Sequence, residues 1–130
     1  ERFCAAVVSA PVTNLESHFG TSDSGAYVDP YDMKGEIHER RDEFRRHSPV
    51  QYAHRATTPT LVLQGVDDQR CPRGQSEELF ATLVRVSKAR AELVLYPNGD
   101  HHLAEEGRPS HRVDYHGRIV EWLTRGCEAK

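Results

Sequence analysis

The sequence predicts an α/β protein with a parallel sheet of about three strands and flanking helices. Three short apolar runs, each rich in valine or leucine and followed by turn residues, are typical of strands. These runs are FCAAVVSAPV at 3–12, TLVLQ at 60–64 and AELVLY at 91–96. TLVLQ is apolar without alternation, which indicates a strand covered on both faces. Helical patterns follow the second and third runs, and this order favours a doubly wound sheet with right-handed crossovers.

Two amphipathic helices are predicted beside these strands. The first covers residues 73–86, where apolar side chains recur at helical spacing. The second runs from about 111 to 125, with Ser110 as its cap and Gly126 as its stop signal. Their apolar positions are Leu79, Phe80, Leu83, Val84 and Val86 in the first helix, and Val113, Ile119, Val120, Trp122 and Leu123 in the second.

The segment between the first two strands is polar and highly charged. Its first part, which includes GTSDSGAYVDP at 20–30, is predicted to be an irregular loop because turn residues dominate it. Its second part, EIHERRDEFRRH at 36–47, is predicted to form a mostly exposed helix. Ser48-Pro49 can start another short helix, since proline is tolerated in a first helical turn.

The composition is typical of a single soluble globular domain. The 130 residues are 37% hydrophobic and 28% charged, with a formal net charge of -3. A chain of this length can bury one core, and without a basic excess it is not expected to bind nucleic acid or anionic lipid. No apolar run approaches the roughly 18 to 20 residues of a membrane span, and the amino terminus lacks the layout of a signal peptide.

The cysteines and the amino terminus support two further expectations. Cys4, Cys71 and Cys127 are odd in number and widely spaced, so neither a disulfide framework nor a zinc knuckle is predicted. This usage favours a reducing, cytoplasmic location. The first apolar run begins at Phe3. Because a native terminus rarely opens directly into a buried strand, we expect the chain to begin inside a larger protein.

Chemically active side chains follow two of the predicted strands. Asp67 and Asp68 come just after the second strand, and His101 and His102 come just after the third. In open α/β sheets, reactants gather outside the carboxyl ends of the strands. The acid precedes the base along the chain, as in the Ser, Asp, His order of α/β-hydrolase triads. In such triads the imidazole takes a proton from the nucleophile, while the carboxylate orients the ring and stabilises its charged form.

Longer stretches around these residues resemble a known family. They are residues 48–122, with the motifs Gly-x-x-Asp-x-x-x-Pro and Tyr-Pro, and the upstream FCAAVVSAPV and GTSD. Together they resemble the C-terminal part of the α/β-hydrolase catalytic domain in the prolyl oligopeptidase family of serine peptidases. The resemblance is particularly to the acylaminoacyl-peptidase and aminopeptidase-like bacterial members. The resemblance covers nearly the whole chain.

The resemblance implies which residues form the site. The Gly-x-x-Asp-x-x-x-Pro motif at 65–72 implies that Asp68 is the triad acid and that Asp67 is a structural neighbour. The tyrosine of Tyr-Pro lies five positions before His101, which implies that His101 is the base. His102 departs from the family pattern, where a small or apolar residue is usual. No metal and no cofactor are implied.

The family nucleophile is not found in this sequence. It would lie in a Gly-x-Ser-x-Gly elbow just before the first strand, and that motif occurs nowhere in the 130 residues. Ser22 and Ser24 fail the spacing of the motif. We therefore expect residues 1–130 to be a C-terminal fragment of the catalytic domain, with the serine and the oxyanion-hole donors upstream.

The implied function is hydrolysis of peptide bonds in short peptides by a Ser-Asp-His triad. One alternative is a carboxylesterase, which would share the same triad. A second alternative is a catalytically inactive, hydrolase-derived structural or interaction module. A sheet of three strands leaves two edges, and an exposed edge can pair with another copy of the chain. Association of copies into a homo-oligomer through such an edge is therefore expected.

Three weaker site hypotheses concern side chains near the same edge. Adjacent histidines among acids could bind zinc, but they lack the spacing of a helical metal site. Cys71 beside Arg70 could be a thiol of lowered pKa, although a small half-buried residue is the simpler interpretation. Arg70 and Arg108 could contact a substrate carboxylate or carbonyl. The clustered residues of the metal hypothesis are Asp100, His101, His102, Glu105 and Glu106.

Overall fold

The computed structural model describes residues 3–128, and its sheet consists of the three predicted strands. They are β1 (Ala6–Ser9), β2 (Thr60–Gly65) and β3 (Ala91–Tyr96). Both neighbouring pairs are parallel, and β2 lies in the middle. Every residue of β2 is buried, as expected for an apolar run without alternation. The predicted fold class is confirmed.

Helices fill all the connections. Between β1 and β2 lie α1 (Leu15–Thr21), α2 (Gly25–Met33), α3 (Ile37–Arg46) and α4 (Val50–Ala53). After β2 comes α5 (Arg73–Thr82), which continues as a π-helical turn over Leu83–Ser87. After β3 come α6 (Leu103–Glu106) and α7 (Pro109–Glu128).

The prediction of an irregular loop between the first strand and the charged helix is wrong, because α1 and α2 are helical. Asn14 caps α1, since its side chain accepts a hydrogen bond from the amide of Glu16 at 3.1 Å. Phe19 of α1 packs edge-on against the fully buried Phe44, with ring centroids 6.2 Å apart. The predicted charged helix and the short helix after Ser48-Pro49 are both present as α3 and α4.

The core lies on the two faces of the sheet. Successive residues of β2 point to opposite faces, so Leu61 and Leu63 pack towards α7 while Val62 packs towards α5. Burial of each such side chain contributes about 1.5–3 kcal/mol. Tyr96, Leu103, Tyr115 and Trp122 complete the first cluster, and Ala53, Leu79, Leu83 and Ala89 complete the second.

The apolar stripe predicted for the last helix is partly wrong. Val113 and Val120 are 76% and 66% exposed, whereas Tyr115, Ile119 and Trp122 face the sheet. These three residues are spaced by four and three positions, which defines one helical face. Leu123 also lies on the exposed side.

The predicted ends of the helices also need correction. α7 starts at Pro109, so Ser110 lies inside its first turn. Gly126 does not stop α7, which runs on to Glu128; a Cβ at Gly126 would lie 2.6 Å from the Cβ of Ala5. In the earlier helix, Val84 and Val86 are exposed, and they lie beyond the end of the regular α-helix at Thr82.

A disulfide joins the two ends of the described chain. Cys4 and Cys127 are bonded, with their Cα atoms 5.1 Å apart and a sequence separation of 123. The prediction of no disulfide is therefore wrong, because α7 packs beside the start of β1 and brings distant cysteines together. Closing so long a loop removes roughly 4–5 kcal/mol of chain entropy from the unfolded state. The cysteine argument for a reducing compartment loses its basis.

Between residues 3 and 128, every helix is too short or too polar to cross a lipid bilayer.

Candidate active site at the carboxyl ends of the strands

The loops after β2 and β3 lie against each other. The amide of Val66 donates to the carbonyl of Tyr96 at 3.0 Å, and the amide of Asp67 donates to the carbonyl of Gly99 at 2.9 Å. Gly65 permits this approach, since a Cβ there would lie 2.7 Å from the carbonyl oxygen of Asp100. The absence of a side chain at Gly65 therefore allows the two loops to lie this close.

Asp68 is buried in the first of these loops and is held by several donors. It is 2% exposed. Its Oδ1 accepts from the amides of Arg70 and Cys71 at 2.9 and 2.8 Å. Its Oδ2 accepts from Gln64 Nε2 at 3.4 Å and lies 3.0 Å from Nδ1 of His101. These donors compensate a buried carboxylate and fix its orientation.

His101 lies above the end of β3 with one face towards solvent. Its side chain is 35% exposed, while that of Asp68 is fully buried. When Nδ1–H donates to the carboxylate, a neutral imidazole keeps a lone pair on Nε2, and that nitrogen can take a proton. A cavity of about 230 Å³ lies beside the ring and is lined in part by Ser9, Gly65 and Tyr115. A reacting group can approach His101 from this cavity.

The neighbours of these two residues lie outside the pair. His102 is exposed, and its Nδ1 is 3.9 Å from Oε2 of Glu105. Its amide donates to Oδ1 of Asp100 at 2.9 Å, which shapes the loop. Asp67 is also exposed. The structure therefore brings together Asp68 and His101, and it leaves the second acid and the second histidine at the surface.

Gln64 belongs to the site but was not identified from the sequence. It lies fully inside the sheet near the end of β2. Its Nε2 also donates to the carbonyls of Gly65 and Cys71 at 2.9 and 3.0 Å, and its Oε1 accepts from Ser76 Oγ at 2.6 Å. This network anchors the loop that carries Asp68. A polar residue ending an otherwise apolar buried strand was the signal that could have revealed it.

Arg70 lies at the rim of the site and is paired with an acid. Its Nε donates to Oδ1 of Asp23 at 2.6 Å. The Arg70 hydrogen bond holds the pKa of the Asp23 carboxyl below its usual value. Arg108, the other arginine considered from the sequence, is exposed just before α7.

Within the part of the chain that the structure describes, no group of three His, Cys, Asp or Glu side chains could hold a metal ion. The acids and histidines of residues 100–106 are therefore not arranged as the ligands of the hypothesised zinc site.

Cys71 is a buried free thiol. Burial, and next the neighbouring Asp68 carboxylate, raise its pKa to about 11. The thiolate is the reactive form, and at pH 8 only about one thiol in a thousand would be ionised. The hypothesis of a lowered-pKa thiol is therefore wrong.

We expect Cys71 to resist alkylation in the folded protein. Iodoacetamide at pH 8 should leave it unmodified under conditions that fully label free cysteine, as read by intact mass. The same reagent in denaturant is the control and should modify it. Alkylation of the native protein at the rate of free cysteine would contradict this prediction.

Comparison with known proteins identifies the family. The model of the prolyl oligopeptidase family matches residues 1–129. The chain belongs to the prolyl oligopeptidase family. The resemblance predicted from the sequence motifs is thus confirmed, and the prolyl oligopeptidase family is an enzyme family of serine peptidases.

Individual members of the prolyl oligopeptidase family align with most of the chain. It is 35% identical over 122 residues to the peptidase YuxL of Bacillus subtilis, covering 94% of this chain and 18% of that protein. It is 31% identical over 115 residues to the acylamino-acid-releasing enzyme of Sus scrofa, covering 81% of this chain and 15% of that enzyme. The chain therefore spans less than a fifth of the length of these two relatives.

Solved structures show the same fold. The acylaminoacyl peptidase of Pyrococcus horikoshii superposes with a TM-score of 0.89 at 23% identity, covering 97% of this chain and 20% of that protein. A puromycin-hydrolyzing peptidase of Mycobacterium tuberculosis superposes with a TM-score of 0.79 at 18% identity, covering 94% of this chain and 18% of that one. The sheet and helices described above are thus part of an α/β-hydrolase fold.

Proposed function

We propose that this chain supplies the acid and the base of a serine peptidase, Asp68 and His101. The observation that carries the proposal is the contact of 3.0 Å between Asp68 Oδ2 and His101 Nδ1 at the carboxyl ends of neighbouring parallel strands. Membership in the prolyl oligopeptidase family supports the same reaction class.

The proposed chemistry follows from this geometry. His101 Nε2 takes the proton of a serine hydroxyl as its oxygen attacks the peptide carbonyl. Asp68 stabilises the imidazolium that forms and keeps its own charge. The imidazolium then protonates the leaving amine, an acyl-enzyme remains, and the same nitrogen activates the water that hydrolyses it. Buried donors around Asp68 keep the carboxylate in place during both steps.

We propose that residues 1–130 are the C-terminal part of a longer catalytic domain and that the serine lies upstream. The aligned relatives support a longer protein, since the chain covers 18% of peptidase YuxL. No Gly-x-Ser-x-Gly motif occurs in the sequence. Within residues 3–128, β1 pairs only with β2. Its other edge is available to a strand that ends in a nucleophile elbow.

The proposed substrates are short peptides, including acylated ones, that are hydrolysed from their amino-terminal side. The names of relatives support this class, since one of them is an acylamino-acid-releasing enzyme. The proposed chemistry requires no cofactor. The cytoplasmic location expected from the sequence stays a proposal. The Cys4–Cys127 disulfide argues against the cysteine usage on which that expectation was based.

The test uses the full-length protein and two probes. A fluorophosphonate should label one serine, identified by peptide mass spectrometry, and block turnover of acetyl-alanine p-nitroanilide and alanine p-nitroanilide. We expect hydrolysis of at least one anilide. A carboxylesterase would cleave p-nitrophenyl acetate but neither anilide. The absence of both labelling and hydrolysis would contradict the proposal.

An interaction module is the second candidate, favoured by the outer edges of β1 and β3, which carry no partner strand within the described residues. An interaction module should not react with the fluorophosphonate. It should self-associate, as measured by size-exclusion chromatography with light scattering. A labelled monomer would contradict it.

A further inference from the structure

A second histidine–carboxylate pair lies beneath the loop that carries Asp68. His18 of α1 and Asp29 of α2 are 5% and 3% exposed. Nδ1 of His18 lies 2.8 Å from Oδ2 of Asp29. Such a buried pair carries a desolvation cost that only good geometry and additional hydrogen bonds offset. The proposed triad chemistry makes no direct use of this pair, so its position calls for another role.

The other ring nitrogen of His18 reaches the acid loop. Nε2 lies 3.1 Å from the backbone carbonyl oxygen of Arg70. A carbonyl oxygen only accepts hydrogen bonds, so Nε2 must carry a proton and donate it. Asp29 holds the far side of the ring and sets its orientation. His18 therefore tethers α1 to the loop.

The tether ends on a peptide group that also holds Asp68. The Arg70 carbonyl and the Cys71 amide belong to one planar unit. That amide donates to Oδ1 of Asp68 at 2.8 Å, and Oδ2 of Asp68 lies 3.0 Å from Nδ1 of His101. The carbonyl of this unit faces His18 while its N–H faces Asp68. Rotation of the unit would withdraw a donor from the carboxylate that holds His101.

Two other contacts join the same segments nearer the surface. Ser22 Oγ donates to the Arg70 carbonyl at 2.7 Å, and the amide of Asp23 donates to the carbonyl of Gln69 at 2.9 Å. Ser22 and Asp23 are partly or fully exposed, whereas His18 is buried. The His18 bond to the Arg70 carbonyl is part-buried, whereas the Ser22 bond to it is exposed, and a hydrogen bond is stronger where water competes less for it. The His18 bond is thus the one best placed to fix the peptide unit.

We infer that His18, oriented by Asp29, is a positioning residue for Asp68 that acts through the peptide group between Arg70 and Cys71. The inference rests on the proposed function, since it reaches the reaction only through Asp68 and His101. The effect should fall on turnover, because His18 lies under the loop and away from solvent. Small displacements of catalytic groups, on the order of 1 Å, cost roughly 100-fold in rate.

Two variants of the full-length protein separate tethering from helix packing. His18→Asn retains an amide that reaches Asp29 but is too short to reach the Arg70 carbonyl. His18→Gln combined with Asp29→Asn provides N–H donors at both positions without a titratable group. For acetyl-alanine p-nitroanilide, we expect His18→Asn to lower kcat about 10- to 100-fold with KM within about threefold. The double variant should stay within about fivefold of the wild-type kcat.

The controls separate folding, positioning and the reaction itself. Each kcat is referred to active sites titrated with the fluorophosphonate, so unfolded protein does not contribute. His38→Asn, at an exposed histidine of α3, is the matched control and should leave kcat unchanged.

The inference is wrong if His18→Asn keeps kcat within about twofold, or if the double variant loses as much as His18→Asn does. Failure of the proposed function gives a different pattern, since His101→Ala and Asp68→Asn would then retain activity. A wild-type protein without hydrolytic activity would overturn both.

Discussion

Replacing His101 with alanine in the full-length protein should lower kcat by a factor on the order of 10⁶. In the proposed mechanism, loss of Nε2 leaves the serine hydroxyl without a base to take its proton and the leaving amine without an acid to protonate it. The rate should be measured with acetyl-alanine p-nitroanilide. Circular dichroism should be unchanged, because the side chain is partly exposed and contributes little to the core.

The adjacent histidine provides a matched control. His102 is exposed and its ring nitrogen is 3.9 Å from Glu105 Oε2. His102→Ala should keep kcat within about threefold of the wild type. Replacing an exposed side chain rarely changes the stability of the fold, so the rest of the site should stay in place. Equal losses in the two variants would contradict the assignment of His101 alone as the base.

Replacing Asp68 with asparagine should lower kcat by about 10⁴. The carboxamide has the shape of the carboxylate, but it lacks the charge that stabilises the imidazolium. Its N–H₂ group can also donate to Nδ1 of His101, which would move the ring proton to Nε2 and leave no lone pair there. The measurement is the steady-state rate per folded protein, with folding followed by circular dichroism because Asp68 is buried.

Asp67 provides the control for the Asp68→Asn prediction. It lies next to Asp68 in sequence, but its side chain is exposed. Asp67→Asn should leave kcat within about threefold. If Asp68→Asn lost no more than about tenfold, the acid would have to be sought elsewhere.

The positions that the sequence predicts well are those whose pattern is local. Apolar runs at 60–64 and 91–96 became β2 and β3 with almost the same limits. The Gly-x-x-Asp and Tyr-Pro motifs carried the family resemblance that implied Asp68 and His101. These side chains lie in contact, and their catalytic roles stay a prediction. Neighbouring parallel strands share one carboxyl edge. Residues that directly follow two such strands in the sequence are therefore expected to lie close together.

The errors lie where a distant contact decides the structure. GTSDSGAYVDP has the composition of a loop, yet its later residues form a helix. Its Asp29 contacts His18 and its Ser22 donates to the Arg70 carbonyl, and both partners lie outside the motif. Val113 and Val120 are apolar but exposed, because the packing of α7 on the sheet selects another face. The buried network of Gln64 gave only one weak signal in the sequence.

The class of fold, the strands and the residue types at their ends follow from the order of amino acids, since each depends on residues close together along the chain. Which other distant groups meet follows from the packing of the helices and strands in three dimensions. The Cys4–Cys127 bond and the contact of His18 with the Arg70 carbonyl join residues separated by 123 and 52 positions. Such contacts depend on how α7 and α1 pack, and no local pattern encodes that packing.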